Sequence, residues 1–186
     1  MPTWFCEEKN DVLPAAETLR SWHEFYALLG TASATMVGLL FVAASVGTGV
    51  FSSGRRAALR VFLSASVINF SLTLASSLVM LTPIANWYLL AGLILMCGLF
   101  GLTHSCLAWR DTLRDGLIVS IDWDDRLWYV ALPIVGYLCL IGSCALLCLG
   151  FEVGCTAVAA SVGILLAIGI HNAWDITLWI ITRRRE

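Results

Sequence analysis

The sequence has little charge. Only 13% of its 186 residues are Asp, Glu, Lys or Arg, whereas 59% are hydrophobic. A soluble domain carries about 25% charged residues, so the composition argues against one. The net charge of −2 leaves no basic excess for a phosphate backbone, and we expect no nucleic-acid partner. The chain is instead expected to fold within a lipid bilayer.

The N-terminal segment lacks the positive charge that opens a secretory signal peptide. Residues 1–24 carry five acidic side chains, including the adjacent Glu7 and Glu8. A lipidation motif is also missing, because Cys6 does not follow a glycine and the sequence ends in Arg-Arg-Arg-Glu. We therefore expect the first hydrophobic run to be retained as a membrane span, with residues 1–24 as an extracytoplasmic tail.

Five long hydrophobic runs make up most of the chain. A membrane-spanning helix needs about 20 mostly apolar residues, so the runs predict an all-α polytopic bundle of five transmembrane helices over residues 25–182. Residues 183–186 form a basic tail. Ser21 and Glu24 have the capping-box spacing that opens a helix, and Pro83 and Asn86 indicate a turn. The helices are expected at about 25–50, 57–83, 86–109, 127–150 and 154–182.

Basic residues are distributed unevenly between the two sides of such a bundle. One side holds only Lys9 and Arg20. The loops after helices 1 and 3 and the C-terminal tail hold the others: Arg55, Arg56, Arg60, Arg110, Arg114, Arg126, Arg183, Arg184 and Arg185. Cytoplasmic segments are enriched in Lys and Arg. The N-terminus is therefore expected outside and the C-terminus in the cytoplasm.

Small residues recur every four positions on helices 1 and 5. Helix 1 carries Gly30, Ala34 and Gly38, and helix 5 carries Gly163 and Ala167. Such spacing lets two membrane helices approach closely. It indicates either packing within the chain, which we favour, or contact between the copies of a homo-oligomer.

The candidate functional side chains are polar residues within the hydrophobic runs. His171, Asn172 and Asp175 lie near the end of helix 5, Asn69 lies in helix 2 and His104 in helix 3. An ionisable residue inside a membrane usually has a partner or a function. At 1.5 Å per residue, these five lie roughly 7–18 Å from the cytoplasmic ends of their helices. That range allows one polar cluster on an ion or proton pathway.

His171 and Asp175 have two interpretations. In the structural one, Asp175 pairs with an arginine of the cytoplasmic side, Arg60, Arg110 or Arg183, and stabilises the bundle. In the functional one, the two side chains interact across one helical turn and carry protons or a cation, since imidazole changes its charge near neutral pH. Asn69 also has two interpretations. In the functional one it lines a polar path, and in the structural one, which we favour, it makes one interhelical hydrogen bond.

Metal, cofactor and enzyme signatures are missing. The His and Asp residues do not have metal-ligand spacing, and no nucleophile is placed beside a base. We therefore predict no metal, no cofactor and no enzymatic activity. Asp124 or Asp125 is expected to cap helix 4, and Cys6 and Cys155 are a candidate disulfide pair if the outer compartment is oxidising.

Three segments carry a resemblance to known proteins. They are Phe25-Tyr26 with Gly30, Gly38-Leu-Leu-Phe-Val-Ala43, and Asn172-Ala-Trp-Asp175. Together they look like a group of small, largely uncharacterised bacterial inner-membrane proteins. The resemblance implies a bacterial plasma-membrane location and agrees with five spans, but it assigns no catalytic or binding residue.

Two functions fit these features. The first is an oligomeric channel or small transporter for an ion or a proton, for which the polar residues of helices 2 and 5 and the small-residue faces are the evidence. The alternative is a non-conducting scaffold or regulatory subunit that binds another membrane protein, because the chain has no extramembrane domain. Both predict the lipid bilayer as a partner, and the first predicts a homo-oligomer.

Overall fold

The structure is a computed structural model that describes residues 8–47, 53–84, 86–114, 127–149 and 153–182. A π-helical turn, Leu127–Ala131, leads directly into the fourth α-helix. No strand occurs within the described ranges, which hold five α-helices: α1 Glu8–Gly47, α2 Ser53–Leu81, α3 Trp87–Arg114, α4 Leu132–Cys148 and α5 Val153–Thr182.

Four stretches are long and apolar enough to cross a membrane. They are Trp22–Ser45 in α1, Trp87–Arg110 in α3, Leu127–Cys148 through the π-helical turn and α4, and Val153–Asp175 in α5. The apolar stretch found among the described side chains of α2, Ala65–Leu81, is shorter. Many large apolar side chains point away from the bundle, which suits contact with lipid. The prediction of an all-helical fold is therefore confirmed over the described residues, and the four long apolar stretches are those of a multi-pass membrane protein.

Helix α1 begins earlier than the hydrophobic run does. It begins at Glu8 rather than near residue 25, so Ser21 lies within the helix and does not open it. The expected start near residue 25 is based on hydrophobicity, so it marks where contact with lipid becomes favourable and not where the helix begins. A helix can continue past that point, because Glu, Ala and Leu, each present twice between residues 8 and 20, have high helix propensity.

The connection between α2 and α3 is a short turn with a side-chain cap. Helix α2 ends at Leu81 and α3 begins at Trp87. The Asn86 Oδ1 atom accepts hydrogen bonds from the backbone N–H groups of Tyr88, at 2.9 Å, and Leu89, at 3.3 Å. These groups have no partner within the first turn of a helix, so Asn86 acts as the N-cap of α3.

Helices α2 and α5 each pack against three other helices. Helix α2 packs against α1, α3 and α5, and α5 packs against α1, α2 and α4, while α4 also packs against α3. Below, the end of the bundle that holds the α2–α3 turn is called the Asn86 end, and the opposite end, where α3 finishes, is called the Arg110 end. Near the Asn86 end, the Tyr26 hydroxyl donates to the Cys155 carbonyl at 3.1 Å and links α1 to α5.

Candidate functional site

A hydrogen-bond network centred on Asn69 joins three helices in the middle of the bundle. The Asn69 side chain, on α2, is only 7% exposed. Its Nδ2 donates to the Leu165 carbonyl of α5 at 2.8 Å, and its Oδ1 accepts from the Tyr137 hydroxyl of α4 at 2.9 Å. A buried amide needs such partners, because leaving it unpaired costs about 1–3 kcal/mol. Asn69 therefore fixes the rotation of α2 against α4 and α5.

Two glycines make room for this network. A Cβ atom added to Gly101 of α3 would clash with the Tyr137 ring. One added to Gly169 of α5 would lie 2.9 Å from Asn69 Nδ2 and 2.8 Å from the Phe70 ring. The absence of a side chain at these two positions lets α3 and α5 approach the polar pair closely.

The network lies near the middle of the apolar stretches. At 1.5 Å per residue, Gly101 is about 21 Å from Trp87 along α3 and about 14 Å from Arg110. Along α4, the same rise puts Tyr137 about 17 Å from Cys148 and about 15 Å from Leu127. The hydrocarbon core of a bilayer is about 30 Å thick. Asn69 and Tyr137 consequently lie close to the membrane midplane.

Hydroxyl side chains extend from Asn69 along the buried face of α2. Thr73 Oγ1 donates to the Asn69 carbonyl at 3.0 Å, and Ser77 Oγ donates to the Thr73 carbonyl at 2.9 Å. Both bonds stay within α2, so these residues act as small packing residues that need no partner helix. Ser33 Oγ on α1 and Ser66 Oγ on α2 differ, because both are buried and have no hydrogen-bond partner among the described residues.

The π-helical turn at the Arg110 end leaves one carbonyl without a backbone donor. In the π register a carbonyl accepts from the residue five positions ahead. For Trp128 that residue is Pro133, which has no N–H. Asn172 of α5 supplies the missing donor, since its Nδ2 lies 3.3 Å from the Trp128 carbonyl oxygen. In return, the Tyr129 hydroxyl donates to the Asn172 carbonyl at 2.9 Å.

His171 and Asp175 form a pair on the surface beside this turn. His171 Nε2 lies 3.2 Å from Asp175 Oδ2, and each side chain is 36% exposed. The imidazole stacks on the Trp128 indole, with ring centroids 3.7 Å apart and planes inclined by 26°. The rise of a helix puts Asp175 about 15 Å beyond Leu165 along α5. The carboxylate therefore lies near the edge of the hydrocarbon core, where it costs less than at the centre.

The five predicted polar residues thus lie in separate places. Asn69 belongs to the midplane network, while His171, Asn172 and Asp175 surround the π-helical turn. His104 is half-buried on α3, and within the described side chains no hydrogen bond or ion pair joins it to either group. The single polar cluster that the depths allowed is therefore two groups, since helix rotation directs the side chains differently.

The small residues that recur every four positions on α1 and α5 lie in different environments. Gly30 is buried, and a Cβ atom added there would lie 3.4 Å from the Ser77 Cβ atom of α2. Ala34 and Gly38 are exposed, as is Ala167. Gly163 is half-buried, and an added Cβ atom would have no neighbour within 4 Å. Only Gly30 of these residues is enclosed by the described part of its own chain.

Sequence reasoning did not identify Pro133, Trp128 and Tyr129 as parts of a site. Trp and Tyr are common at the membrane interface, so Trp128 and Tyr129 at the start of a hydrophobic run do not by themselves indicate a site. The signal that identifies them is a proline close to the start of a span, since a proline there leaves carbonyls without donors. An inward-facing Asn on a neighbouring helix at the same height then becomes the expected partner.

Some predictions concern residues whose side chains the structure does not describe. These are the helix cap by Asp124 or Asp125, the disulfide partner Cys6, and the arginine partners Arg60 and Arg183, whose side chains are not described. Among the described residues, no group of three His, Cys, Asp or Glu side chains is placed to hold a metal ion.

Comparisons with protein-family models, with curated proteins and with solved structures give no match to this chain. The resemblance to small bacterial inner-membrane proteins therefore stays a prediction, and the indications of function come from the sequence and from the geometry of the two polar groups.

Proposed function

We propose that the chain is a five-span protein of the bacterial plasma membrane, with its N-terminus outside and its C-terminus in the cytoplasm. The four long apolar stretches and the shorter stretch of α2 support five spans. The clustering of arginine in the segments at the Arg110 end supports the direction. C-terminal fusions test it: green fluorescent protein should be fluorescent and alkaline phosphatase inactive. The opposite result would reverse the topology.

The function that the geometry supports best is the movement of a proton or small cation through an oligomer. The main observation in favour of this function is a succession of polar groups from the Arg110 end to the midplane. It begins at the exposed pair His171 and Asp175, continues with the buried Asn172 and Ser66, and ends at the Asn69 network with Tyr137. Hydroxyl groups both donate and accept hydrogen bonds, so they can conduct protons or coordinate a cation.

The position of the pair supports an oligomer. His171 and Asp175 are each 36% exposed on the outside of one chain, next to the apolar surface that α5 presents to lipid. An ionisable group in a membrane is expected to face protein or water rather than lipid. A second copy against this part of α5 would enclose the pair and separate it from lipid.

A second candidate is the non-conducting scaffold, and one observation favours it. Towards the Asn86 end, beyond Ser77, the buried side chains include Met80 and Leu90, both at most 3% exposed. The Tyr26 hydroxyl at this end is occupied by its bond to the Cys155 carbonyl, so the described residues do not continue the polar succession to that end. Conduction requires this packed region to open, whereas a scaffold that binds a membrane helix requires no opening.

Flux measurements separate the two functions. Proteoliposomes with the parent, Asp175→Asn, or Thr177→Ala should be compared for proton, sodium and potassium flux. Thr177 is an exposed neighbour whose hydroxyl bonds only its own helix, at the Ala173 carbonyl, so it is the matched control. We expect flux from the parent and the control and a severalfold loss with Asp175→Asn. A folded parent without flux for any of these ions would refute transport and favour the scaffold.

Subunit counting tests the assembly itself. Single-molecule photobleaching of labelled protein in bilayers should show more than one step for each particle. Ala167→Phe, at an exposed position of α5, should shift the count towards one. Leu138→Phe, at an exposed position of α4, should leave it unchanged. A parent that is monomeric at all protein-to-lipid ratios would overturn the oligomer.

A further inference from the structure

The orientation of the Asn172 amide leaves a buried acceptor. The Trp128 carbonyl can only accept, so the amide nitrogen of Asn172 must face it. The Oδ1 atom is thereby turned away. Asn172 is 6% exposed, and its Oδ1 has no hydrogen-bond partner among the described residues. Buried polar atoms in proteins are almost always hydrogen-bonded, to protein or to an ordered water molecule.

A second unpartnered atom lies on the facing helix. Ser66, on α2, is 2% exposed, and its Oγ has no described partner either. It lies about one helical turn from Asn69, towards the Arg110 end, on the same buried face. Because α2 and α5 are antiparallel and meet where Asn69 contacts Leu165 and approaches Gly169, that turn is opposite the stretch of α5 just before Asn172.

The heights of the two atoms agree. We take Asn69 on α2 to be level with the midpoint between Leu165 and Gly169 on α5. From that level towards the Arg110 end, Ser66 lies about 4.5 Å away along α2 and Asn172 about 7.5 Å away along α5. The difference in height is about 3 Å. Two hydrogen bonds of about 2.8 Å each allow one water molecule to join oxygen atoms up to about 5.5 Å apart. Gly169, which has no side chain, lies between them along α5.

We propose that Asn172 Oδ1 and Ser66 Oγ bind one internal water molecule. The water donates one hydrogen bond to the Asn172 Oδ1 atom and forms a second hydrogen bond with the Ser66 hydroxyl, which can donate or accept. Buried waters in proteins make two to four such bonds. A divalent cation needs six or more oxygen ligands, several of them charged, which two neutral oxygens do not supply.

The water has a defined place in the polar succession. By the same rise along α5, it lies about level with His171, and between Asp175 and the Asn69–Tyr137 pair at the midplane. A water there adds a donor and acceptor between the two groups of polar side chains. Its role as a relay rests on the proposed transport function, whereas its binding depends only on the two unpartnered atoms.

A structure of the full-length protein in lipid nanodiscs, at a resolution that shows ordered water, tests the site. We expect a peak about 2.8 Å from both oxygens. Ser66→Ala should remove the peak. Ser77→Ala should keep it, because the Ser77 hydroxyl already bonds the Thr73 carbonyl. Either of two findings would overturn the proposal: a parent without a peak within reach of Asn172 Oδ1, or a peak with the short distances and many ligands of a metal ion.

Flux through the same variants distinguishes the site from the relay. If the water acts as a relay, Ser66→Ala should lower flux severalfold with an unchanged melting temperature, and Ser77→Ala should not. Unchanged flux in a Ser66→Ala variant that has lost the peak would refute the relay. A parent with the peak but without flux would refute transport and leave the water site standing.

Discussion

Asn172 of α5 donates its side-chain amide to the Trp128 carbonyl of the π-helical turn, the carbonyl whose π-register donor would be Pro133. One side chain on a neighbouring helix thus replaces a backbone donor that proline removes. Tyr129 strengthens the junction through its bond to the Asn172 carbonyl. The start of α4 is therefore held against α5 by two hydrogen bonds, one in each direction.

Asn172→Leu should destabilise the protein unless the proline is replaced as well. The single variant leaves the part-buried Trp128 carbonyl unpaired, so we expect a loss of about 1–3 kcal/mol in the free energy of unfolding. Pro133→Ala restores a backbone N–H. The double variant should then lose less than the sum of the two single variants, by about 0.5–3 kcal/mol. Unfolding in detergent, followed by circular dichroism, gives the unfolding free energies of the parent, the two single variants and the double variant. Additive losses would show that the Asn172 amide does not replace the donor that Pro133 lacks.

Tyr137→Phe should weaken the midplane network modestly. It removes one interhelical hydrogen bond, which in membranes is worth about 0.6 kcal/mol on average and up to about 1.7 kcal/mol. Asn69→Leu should cost more, because it also leaves the Tyr137 hydroxyl without a partner. Tyr88→Phe, at a position that is 72% exposed, serves as the control. Equal stability of Tyr137→Phe and the parent would show that the bond contributes nothing.

Gly101→Ala should be far more damaging than Gly163→Ala. A Cβ atom at Gly101 meets the Tyr137 ring, while one at Gly163 meets nothing within 4 Å. The ring cannot move aside without breaking its bond to Asn69. Overpacking of this kind costs about 1–3 kcal/mol. The melting temperature of Gly101→Ala should be clearly lower than that of Gly163→Ala. Similar melting temperatures would mean that α3 can shift away from α4.

Much of the fold could be predicted from the sequence, because lipid imposes simple requirements. A span must be apolar and its backbone must be hydrogen-bonded within itself, so hydrophobic runs mark α1, α3, α4 and α5. The start of α1 could not be predicted in this way, since a helix can extend beyond the lipid. The turn before α3 could be predicted from Pro83 and Asn86, which lie three residues apart between two hydrophobic runs.

The candidate site could be predicted only in part. Asn69 was expected to face the interior, because an amide cannot be satisfied by its own helix as a hydroxyl can. Its partners could not be identified, since they depend on the rotation of α4 and α5, which close contacts at Gly101 and Gly169 determine. The role of Asn172 depends on the π register before Pro133, which spacing along the sequence does not reveal.

Asp175→Asn should leave the stability of the protein almost unchanged. The pair with His171 spans one turn of α5 and is 36% exposed on each side, and exposed pairs of this spacing are worth about 0.3–0.5 kcal/mol. The Trp128 stacking on His171 remains in the variant. We therefore expect an unfolding free energy within about 0.5 kcal/mol of the parent, measured by the same detergent unfolding.

His171→Ala provides the comparison for Asp175→Asn, because it removes both the pair and the stacking on Trp128. It should cost more than Asp175→Asn, and the difference measures the ring contact. If instead Asp175→Asn fails to fold or loses several kcal/mol, the carboxylate stabilises the bundle through a further partner. The structural interpretation of the pair would then hold, and any loss of flux in that variant could not be assigned to a pathway.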